Sequence, residues 1–340
     1  MKKTQRFILC VPLVMGLVAC KDSTAKYTVG PQADLHGIVF GKKSFSNKDI
    51  TGANLTDANI NSVDLSGSLL TGADLTRVTA NKDTNLKRAN LDTATLADAS
   101  MLTTDFTGAS LSGANLSGAK LAGSNFTQSN MRGAVLSGAS LDDAIMTSAV
   151  LTSANLEGAN SKQNLNLSDS NLVDAILKGA SLLGTNFTNA SMVRADLSGS
   201  FLGTSDFTGA NLTDAILVGA SANPTMKMVQ ANLVNAKMML VSFFGADLTN
   251  ASLVGADLSA AALGSSTMNG ANLTKANLSG VDLRGSNLTG ADLRESNLSG
   301  ADLRGANLTG ALLTGANVSN ADFTGAVLTQ ALMPDGTMHE

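Results

Sequence analysis

The sequence contains few of the side chains on which catalytic and metal sites depend. Its 340 residues include two cysteines (Cys10 and Cys20), two histidines (His36 and His339), one tyrosine and no tryptophan. This set leaves no material for a zinc site or a disulfide framework. Aromatic residues make up only 4%, so an ordinary globular core would lack its usual large side chains. With 33 glycines and 4 prolines, the chain is neither collagen nor a proline-rich disordered tract.

The N-terminal segment, residues 1–19, is predicted to be a secretory signal peptide. Three of its first six residues are basic (Lys2, Lys3 and Arg6), and an apolar run follows from Phe7 to Ala19. At about 13 residues the run is too short to span a bilayer as a stable helix. A basic start followed by a short apolar run is typical of secretory signals.

The apolar run ends in Leu17-Val18-Ala19-Cys20, which resembles the lipobox of bacterial lipoproteins. The resemblance implies cleavage before Cys20, a thioether-linked diacylglycerol on its sulfur, and acylation of the new N-terminus. The alternatives are an accidental cysteine in a plain signal peptide, or cleavage at Cys10. Cys10 is the poorer candidate because Leu9 before it is too large for the cleavage site. Several acyl chains supply the stable membrane anchoring that one chain cannot.

Cleavage would leave a mature chain with 20 lysines and arginines, 27 aspartates and glutamates, and no free thiol. Thiol chemistry is therefore excluded in the mature form, and no cofactor is expected beyond the lipid on Cys20. Residues 20–34 are predicted to form a lipidated polar tether. The residue after the cysteine is Lys21, so in a host with two membranes the lipoprotein sorting pattern implies the outer membrane. We expect a cell-envelope location, facing the periplasm or the cell surface.

The rest of the chain repeats every five residues, as in Ala114-Asn115-Leu116-Ser117-Gly118 and Ala301-Asp302-Leu303-Arg304-Gly305. On a helix this period would scatter the leucines around the cylinder. On a straight strand it would place successive leucines on opposite faces. Every leucine can point inward only if the chain turns a corner once per repeat. Four such corners close a square coil, and one coil must stack on others to bury its core.

The motif closely resembles the pentapeptide-repeat family, A(D/N)LXX, over about 300 residues. The resemblance implies an all-β fold, a right-handed quadrilateral β-helix with four repeats per coil. Counting the repeat centres gives about 15 coils in residues 35–333, stacked at about 4.8 Å. Residues 334–340 are left as a C-terminal tail. Lys43 and Lys48 occupy small inward positions, so the first repeats are expected to form a cap.

Three one-residue insertions, near Asp83, Asn164 and Thr225, interrupt the spacing. The stretches between them correspond to whole coils, so all three are predicted to fall at the same corner of the square. Larger inward residues after each break are expected to fill the volume left by small ones before it. The insertions are explained by loop tolerance at an exposed corner or by a ridge that a partner recognises. A column of inward phenylalanines and methionines is expected to form an internal aromatic stack.

Two outward columns are candidate interaction surfaces. The first is a valine strip, Val173, Val193, Val234 and Val254, which either docks a partner or reflects β propensity alone. The second is Leu183, Phe201 and Phe244, whose aromatic side chains favour it as a binding hot spot. Outward Asp and Asn residues could suggest calcium, but the spacing of calcium-binding β-rolls is missing, so no metal site is predicted.

The sequence therefore predicts a non-enzymatic, lipid-anchored rod that serves as a structural or protein-interaction module. No nucleophile with a neighbouring base can be identified. A protein partner or self-association is expected, and no nucleic acid. The alternative is a DNA mimic that inhibits or protects a DNA-binding enzyme such as gyrase, as some family members do. The export signal and the low negative charge both oppose this alternative, because duplex DNA carries about one charge per 1.7 Å.

Overall fold

A computed structural model describes residues 8–12, 18–22 and 27–340. Near the N-terminus, strand β1 (Ile8–Pro12) pairs antiparallel with β2 (Val18–Asp22). No helix occurs in these described segments. From residue 27 onward the chain is a solenoid built from turns and short parallel bridges.

Four parallel ladders of bridges run along the solenoid, one on each side of its coil. They begin with the pairs Asp34–Asn54, Val39–Asn59, Ser44–Asp64 and Asp49–Leu69. We number these ladders sides 1 to 4 in that order. Each step along a ladder therefore covers 20 residues, or four repeats, and successive bridges lie on neighbouring sides. The structure is an all-β solenoid, as the period of five predicts.

Regular strands occur on side 2 only, within the solenoid that the structure describes. The strands are β3 (Thr79–Ala80), β4 (Ser100–Met101), β5 (Asn160–Ser161), β6 (Ser181–Leu182), β7 (Phe201–Gly203) and β8 (Ser221–Ala222). Strands β3 and β4 form one parallel pair, and β5 to β8 form a four-stranded parallel sheet. The register shifts at a bulge between Phe201 and Gly203. Side 2 is thus the most sheet-like surface of the rod.

The core contains the central residue of each repeat and the small residue two positions before it. Leu116 and Ala114 illustrate the pair, and both are fully buried. The residue between them, Asn115, points outward and makes the ladder bridge; we call this the face position. The residue after the centre begins the turn, and we call it the corner position. The small–large alternation in the sequence thus becomes a close-packed interior.

The three insertions appear as ladder steps of 21 residues, such as Asp64–Asn85, Ile145–Asn166 and Asp206–Lys227. All three lie at the corner between sides 2 and 3, as their spacing predicts. The inward residues after the breaks, Thr84, Leu165 and Met226, are buried.

The inward phenylalanines of side 3 form two separate stacks rather than one column. The rings of Phe106 and Phe126 lie 4.5 Å apart and nearly parallel, at 6°. Phe187 and Phe207 repeat this arrangement at 4.5 Å and 11°. Phe45 is half-buried and meets Phe40 edge-on instead.

Both ends of the solenoid carry non-repeating contacts. At the first coil the Tyr27 ring packs edge-on against Phe40, with centroids 5.4 Å apart, and Lys43 Nζ donates to the Tyr27 hydroxyl. Lys43 and Lys48 are exposed, but Ser44 and Asp49 beside them already make regular ladder bridges, so the first repeats form a coil rather than a separate cap. The predicted tail, residues 334–340, folds back on the last repeat through an antiparallel bridge between Leu332 and Met338.

Candidate interaction surfaces

The outward polar side chains are held in place by their own turns. The Asn125 side-chain oxygen, for example, accepts hydrogen bonds from the Thr127 amide at 2.9 Å and from the Thr127 hydroxyl at 2.6 Å. The same Asx turn recurs along all four sides, for instance at Asn115 on side 1, Asn59 on side 2 and Asn211 on side 4. Such bonds satisfy backbone amides at each corner. These side chains therefore shape the turns, and the same bonds limit how many of their oxygens could bind a ligand.

Most of the arginines on the rod pair with aspartates of the same or the next coil. The Arg77 guanidinium contacts the Asp57 carboxylate in a bidentate pair, with bonds of 2.7 and 2.8 Å, and Arg194 does the same with Asp174. The hydrogen bond from Arg77 holds the pKa of Asp57 below its usual value. These carboxylates are therefore partly neutralised where they stand.

At the C-terminal end of side 2 the pairs form a continuous ladder. Arg284 binds Asp282 at 2.7 Å and lies 3.6 Å from Asp302, and Arg304 is placed in the same way between Asp302 and Asp322. The hydrogen bond from Arg284 lowers the pKa of Asp282, and that from Arg304 lowers the pKa of Asp302. This end of side 2 alternates in charge along the rod.

The structure places the valine strip on side 4, in corner positions. Val173, Val193, Val234 and Val254 are all half-buried. Their backbone amides take part in Asx turns, as Val173 does with Asn171 and Val234 with Asn232. The strip is therefore shallow, and no large apolar side chain stands out from it.

The second predicted surface lies on side 2 and projects further. Phe201 is 37% exposed and Phe244 is 51% exposed, while Leu183 is half-buried. Leu183 lies over Gly203 of the next coil, since a Cβ built on Gly203 would overlap the leucine Cδ1. Phe244 lies over Gly264 in the same way, with two ring carbons 3.2 Å from the equivalent point.

Sequence reasoning missed one member of this surface. Leu240, at the corner between sides 1 and 2, is 63% exposed. Its position ordinarily holds glycine or a small polar residue, because the backbone there has positive φ (59° at Leu240). A leucine at such a position is the signal that could have identified it. We call Leu183, Phe201, Leu240 and Phe244 the side-2 patch.

Sequence reasoning also missed why large apolar residues occur at the side-2 corner. Leu102, Leu183 and Phe244 each follow an insertion by one ladder step, above Asn81, Lys162 and Asn223 respectively. The next step always holds a small residue: Ala122, Gly203 or Gly264. A large residue therefore precedes a small one beside every widened corner, and the Leu183 and Phe244 side chains lean over the glycines that follow them.

The predicted lipid anchor at Cys20 lies in a part of the chain whose side chains the structure does not describe. Most of the signal peptide, residues 1–19, lies outside the described residues, as does the side chain of Cys20. In the part of the chain that the structure describes, no helix is long and apolar enough to cross a membrane. No group of three or more metal-ligating side chains comes together in that part either.

Comparisons with known proteins agree with this architecture. A family model described as pentapeptide repeats matches the chain in successive segments, namely 32–67, 44–77, 82–113, 109–147, 129–160, 166–203, 227–259, 251–290 and 291–330. No curated protein matches the sequence significantly.

Several solved structures also match. HetL, a pentapeptide-repeat protein involved in heterocyst differentiation regulation in the cyanobacterium Nostoc sp. strain PCC 7120, is 32% identical. That match covers 72% of this chain and 91% of HetL, with a TM-score of 0.27. A pentapeptide-repeat protein of the Arabidopsis thaliana thylakoid lumen is 33% identical over 28% of this chain and 68% of its own, with a TM-score of 0.27.

A third match is QnrB1, a plasmid-mediated fluoroquinolone resistance protein. It is 19% identical over 55% of this chain and 88% of its own, with a TM-score of 0.27. At that identity the likeness concerns the fold alone. The family-model matches extend over most of the solenoid, and the bridges show the five-residue period directly. The chain therefore belongs to the pentapeptide-repeat family.

Proposed function

We propose that this protein is a lipid-anchored component of the bacterial cell envelope whose rod acts as a non-enzymatic structural or protein-interaction module. Proteins of this family typically serve as structural and interaction modules. For this chain, the proposal rests on the contrast between polar and aromatic side chains on the outer surface of the rod. Outward polar groups are tied into turns and ion pairs, whereas Phe201 and Phe244 stay exposed on a flat face. Such a surface suits contact with another macromolecule.

The proposed anchor rests on the N-terminal sequence. Leu17-Val18-Ala19-Cys20 has the lipobox pattern and follows a basic start and a short apolar run. Diacylglycerol on Cys20 with an acylated N-terminus would hold the rod at a membrane surface. The proposed site is the outer membrane, since Lys21 follows the cysteine.

The charge distribution on the rod opposes the DNA-mimic alternative. Asp57, Asp174, Asp282, Asp292 and Asp302 each pair with an arginine of the rod. A duplex mimic needs dense, uncompensated negative charge. The paired carboxylates favour a module that contacts protein rather than one that replaces DNA.

The anchor is tested by growing bacteria that express the full chain with a radioactive fatty acid. We expect the unmodified chain and its matched control Cys10→Ser to incorporate label and to sediment with membranes. Cys20→Ser should lose both properties and appear as soluble protein or uncleaved precursor. Label in Cys20→Ser equal to that in the unmodified chain would refute the anchor. The rod should fold in every variant, because both cysteines lie outside the repeats.

A further inference from the structure

Two copies of side 2 complement each other when one rod is rotated by 180° so that the two run in opposite directions. Face and corner residues of one copy then meet suitable residues of the other. Along the ladder, Ser221 is the midpoint between Lys120, five steps before it, and Asp322, five steps after it. We propose that side 2 forms an antiparallel homodimer whose two-fold axis passes beside Ser221. This inference specifies the partner in the interaction role proposed above and rests on that role, but it does not depend on the lipid anchor.

The two-fold axis determines which residues meet. If it runs across the face, perpendicular to the rod, each position contacts the same kind of position at an equal number of steps on the other side of Ser221. Face positions then meet face positions, and corner positions meet corner positions. The pairings follow from the ladder and, for Leu183 and Phe244, also from the direction in which each side chain leans.

The apolar residues lie near the axis and face one another. On the corner column, Leu183 is two steps before Asn223 and leans towards the next coil, over Gly203. Phe244 is one step after Asn223 and leans over Gly264. The axis places Leu183 opposite Gly264 of the other copy, and because the Phe244 ring leans over Gly264, Leu183 of each copy meets Phe244 of the other. Stable interfaces commonly bury aromatic side chains near their centre, and this arrangement would bury the exposed Phe244 ring there.

No charge interrupts this central region. In the five coils around the axis, the described face and corner positions of side 2 hold only uncharged residues. The face positions are Ser181, Phe201, Ser221, Ser242 and Ala262, and the corner positions are Leu183, Gly203, Asn223, Phe244 and Gly264. Desolvating the centre therefore buries no ionised group, which removes the largest penalty that an interface can carry.

Opposite charges meet further from the axis. Lys120 and Asp322 are both exposed face positions five steps away, and Lys120 makes no ion pair among the described residues. Asp142 and Arg304 are both corner positions four steps away. Each pair occurs twice in the dimer. The remaining face aspartates, Asp282 and Asp302, meet the polar side chains of Asn160 and Ser140.

One pairing on these columns is unfavourable. Lys162 and Arg284 are corner positions three steps from the axis and carry like charges. Arg284 is already bound by Asp282, and the carboxylate of Asp142 accepts the Lys162 backbone amide at 2.6 Å. Nearby carboxylates thus reduce the repulsion between Lys162 and Arg284. The pairs Lys120–Asp322 and Asp142–Arg304 each bring together opposite charges.

The size of the surface fits a homodimer. Ten steps at about 4.8 Å give a contact about 48 Å long, and one three-residue side is about 10 Å wide. The contact would bury about 500 Å² on each copy, or about 1,000 Å² in all. This area is at the lower limit of specific interfaces, so we expect a reversible dimer that loss of a few contacts would disrupt.

Crosslinking at the axis tests the proposal. Ser221→Cys in the full chain places one thiol of each copy at the axis, and whole-cell lysates are treated with a short bismaleimide, so that the test does not require membrane attachment. The linkage is mapped to residue 221 by peptide analysis, which separates it from any crosslink through Cys10 or Cys20. We expect a covalent homodimer, identified by mass spectrometry. The unmodified chain and Ser252→Cys, which has a half-buried face position on side 4, should give none. Absence of the homodimer with Ser221→Cys, or an equal yield with Ser252→Cys, would overturn the proposal.

Charge reversal tests the antiparallel arrangement in the Ser221→Cys background. Lys120→Asp and Asp322→Lys should each lower the crosslinking yield about fivefold, because each opposes like charges at both ends of the dimer. The double variant should restore the yield to that of Ser221→Cys alone. Failure of this rescue would refute the antiparallel pairing. Fatty-acid labelling is a separate readout that these variants should not change, so failure of the dimer and failure of the anchor are distinguishable.

Discussion

The hydroxyl of Ser124 donates a hydrogen bond to the carbonyl oxygen of Met101 across two neighbouring coils, at 2.5 Å. The same hydroxyl accepts a bond from the Thr104 amide at 3.3 Å. In an ordinary turn of this rod the amide bonds directly to the carbonyl three residues before it, as Ala109 does with Phe106. Ser124 therefore completes a turn of the preceding coil, one ladder step beyond the first insertion.

Removing this hydroxyl should destabilise the rod. Ser124→Ala leaves the Met101 carbonyl and the Thr104 amide without their shared partner in a buried turn, which costs about 1–3 kcal/mol. The matched control is Ser200→Ala. The Ser200 hydroxyl bonds to the Leu197 carbonyl, which already accepts the Ser200 amide, so that substitution should change stability by less than about 0.5 kcal/mol. Urea unfolding followed by circular dichroism measures both; equal losses would contradict the role assigned to Ser124.

Adjacent residues in one repeat should differ greatly in their tolerance of substitution. Leu197 is fully buried, and Leu197→Asp would place an unpaired charge in the core, at a cost of several kcal/mol. Asp196 points outward and accepts the amide and hydroxyl of Ser198. Asp196→Ala should therefore cost about 0.5–1 kcal/mol, the value of one turn. Thermal unfolding of the two variants provides the comparison, and similar midpoints would mean that the inward and outward assignments are wrong.

The five-residue period was sufficient to predict the solenoid, its inward residues and the common corner of the insertions. Each of these depends only on counting along the chain. Leu116 is inward because every centre must be, and Leu165 is inward because counting resumes after the insertion with a small-residue position. None of these predictions depends on how individual side chains contact the next coil.

The contacts between coils required the structure. The phenylalanine column separates into pairs because Met146 and Leu167 lie between Phe126 and Phe187, and only geometry shows which rings stack. The sequence also gives no measure of exposure at the corner positions. Val193 and Phe244 occupy equivalent positions on different sides, yet only Phe244 is exposed. Side-chain length and the residue on the next coil decide that difference.

Acid should weaken the C-terminal half of the rod. Hydrogen bonds from Arg284 and Arg294 lower the pKa values of Asp282 and Asp292 in the folded protein. Unfolded aspartate, with a pKa of about 3.9, therefore takes up protons at a higher pH than the folded carboxylates. The stabilisation is complete above that pH and is lost as pH falls through the lower folded pKa values. We expect the urea midpoint to fall between about pH 5 and pH 2.

Variants separate this contribution from general acid effects. The double variant Asp282→Asn and Asp292→Asn should lose less stability between neutral and acid pH than the unmodified chain. Replacing Arg284 and Arg294 by glutamine should have an intermediate effect, since the backbone amides at those positions still donate to the carboxylates. An identical pH dependence in all three proteins would show that these pairs do not contribute.

Adding a single methyl group at Gly203, two ladder steps after the second insertion, should destabilise the rod. Gly203 has positive φ, at 42°, within the bulge of β7. A Cβ there would overlap the Leu183 side chain and lie 3.2 Å from the α-carbon of Leu183. Gly203→Ala therefore adds steric overlap to backbone strain and should destabilise the rod by about 2–3 kcal/mol.

A second substitution separates the two causes. In the Leu183→Ala background the flexible end of the leucine is gone, so Gly203→Ala should cost only about 1 kcal/mol, the part due to backbone strain and to crowding against the backbone of residue 183. Gly264→Ala serves as the control, because Gly264 has no positive φ and the Phe244 ring above it lies at the surface, where it can move. We expect that change to cost less than about 1 kcal/mol. Additive effects of Leu183→Ala and Gly203→Ala in urea unfolding would show that the leucine does not rest on the glycine.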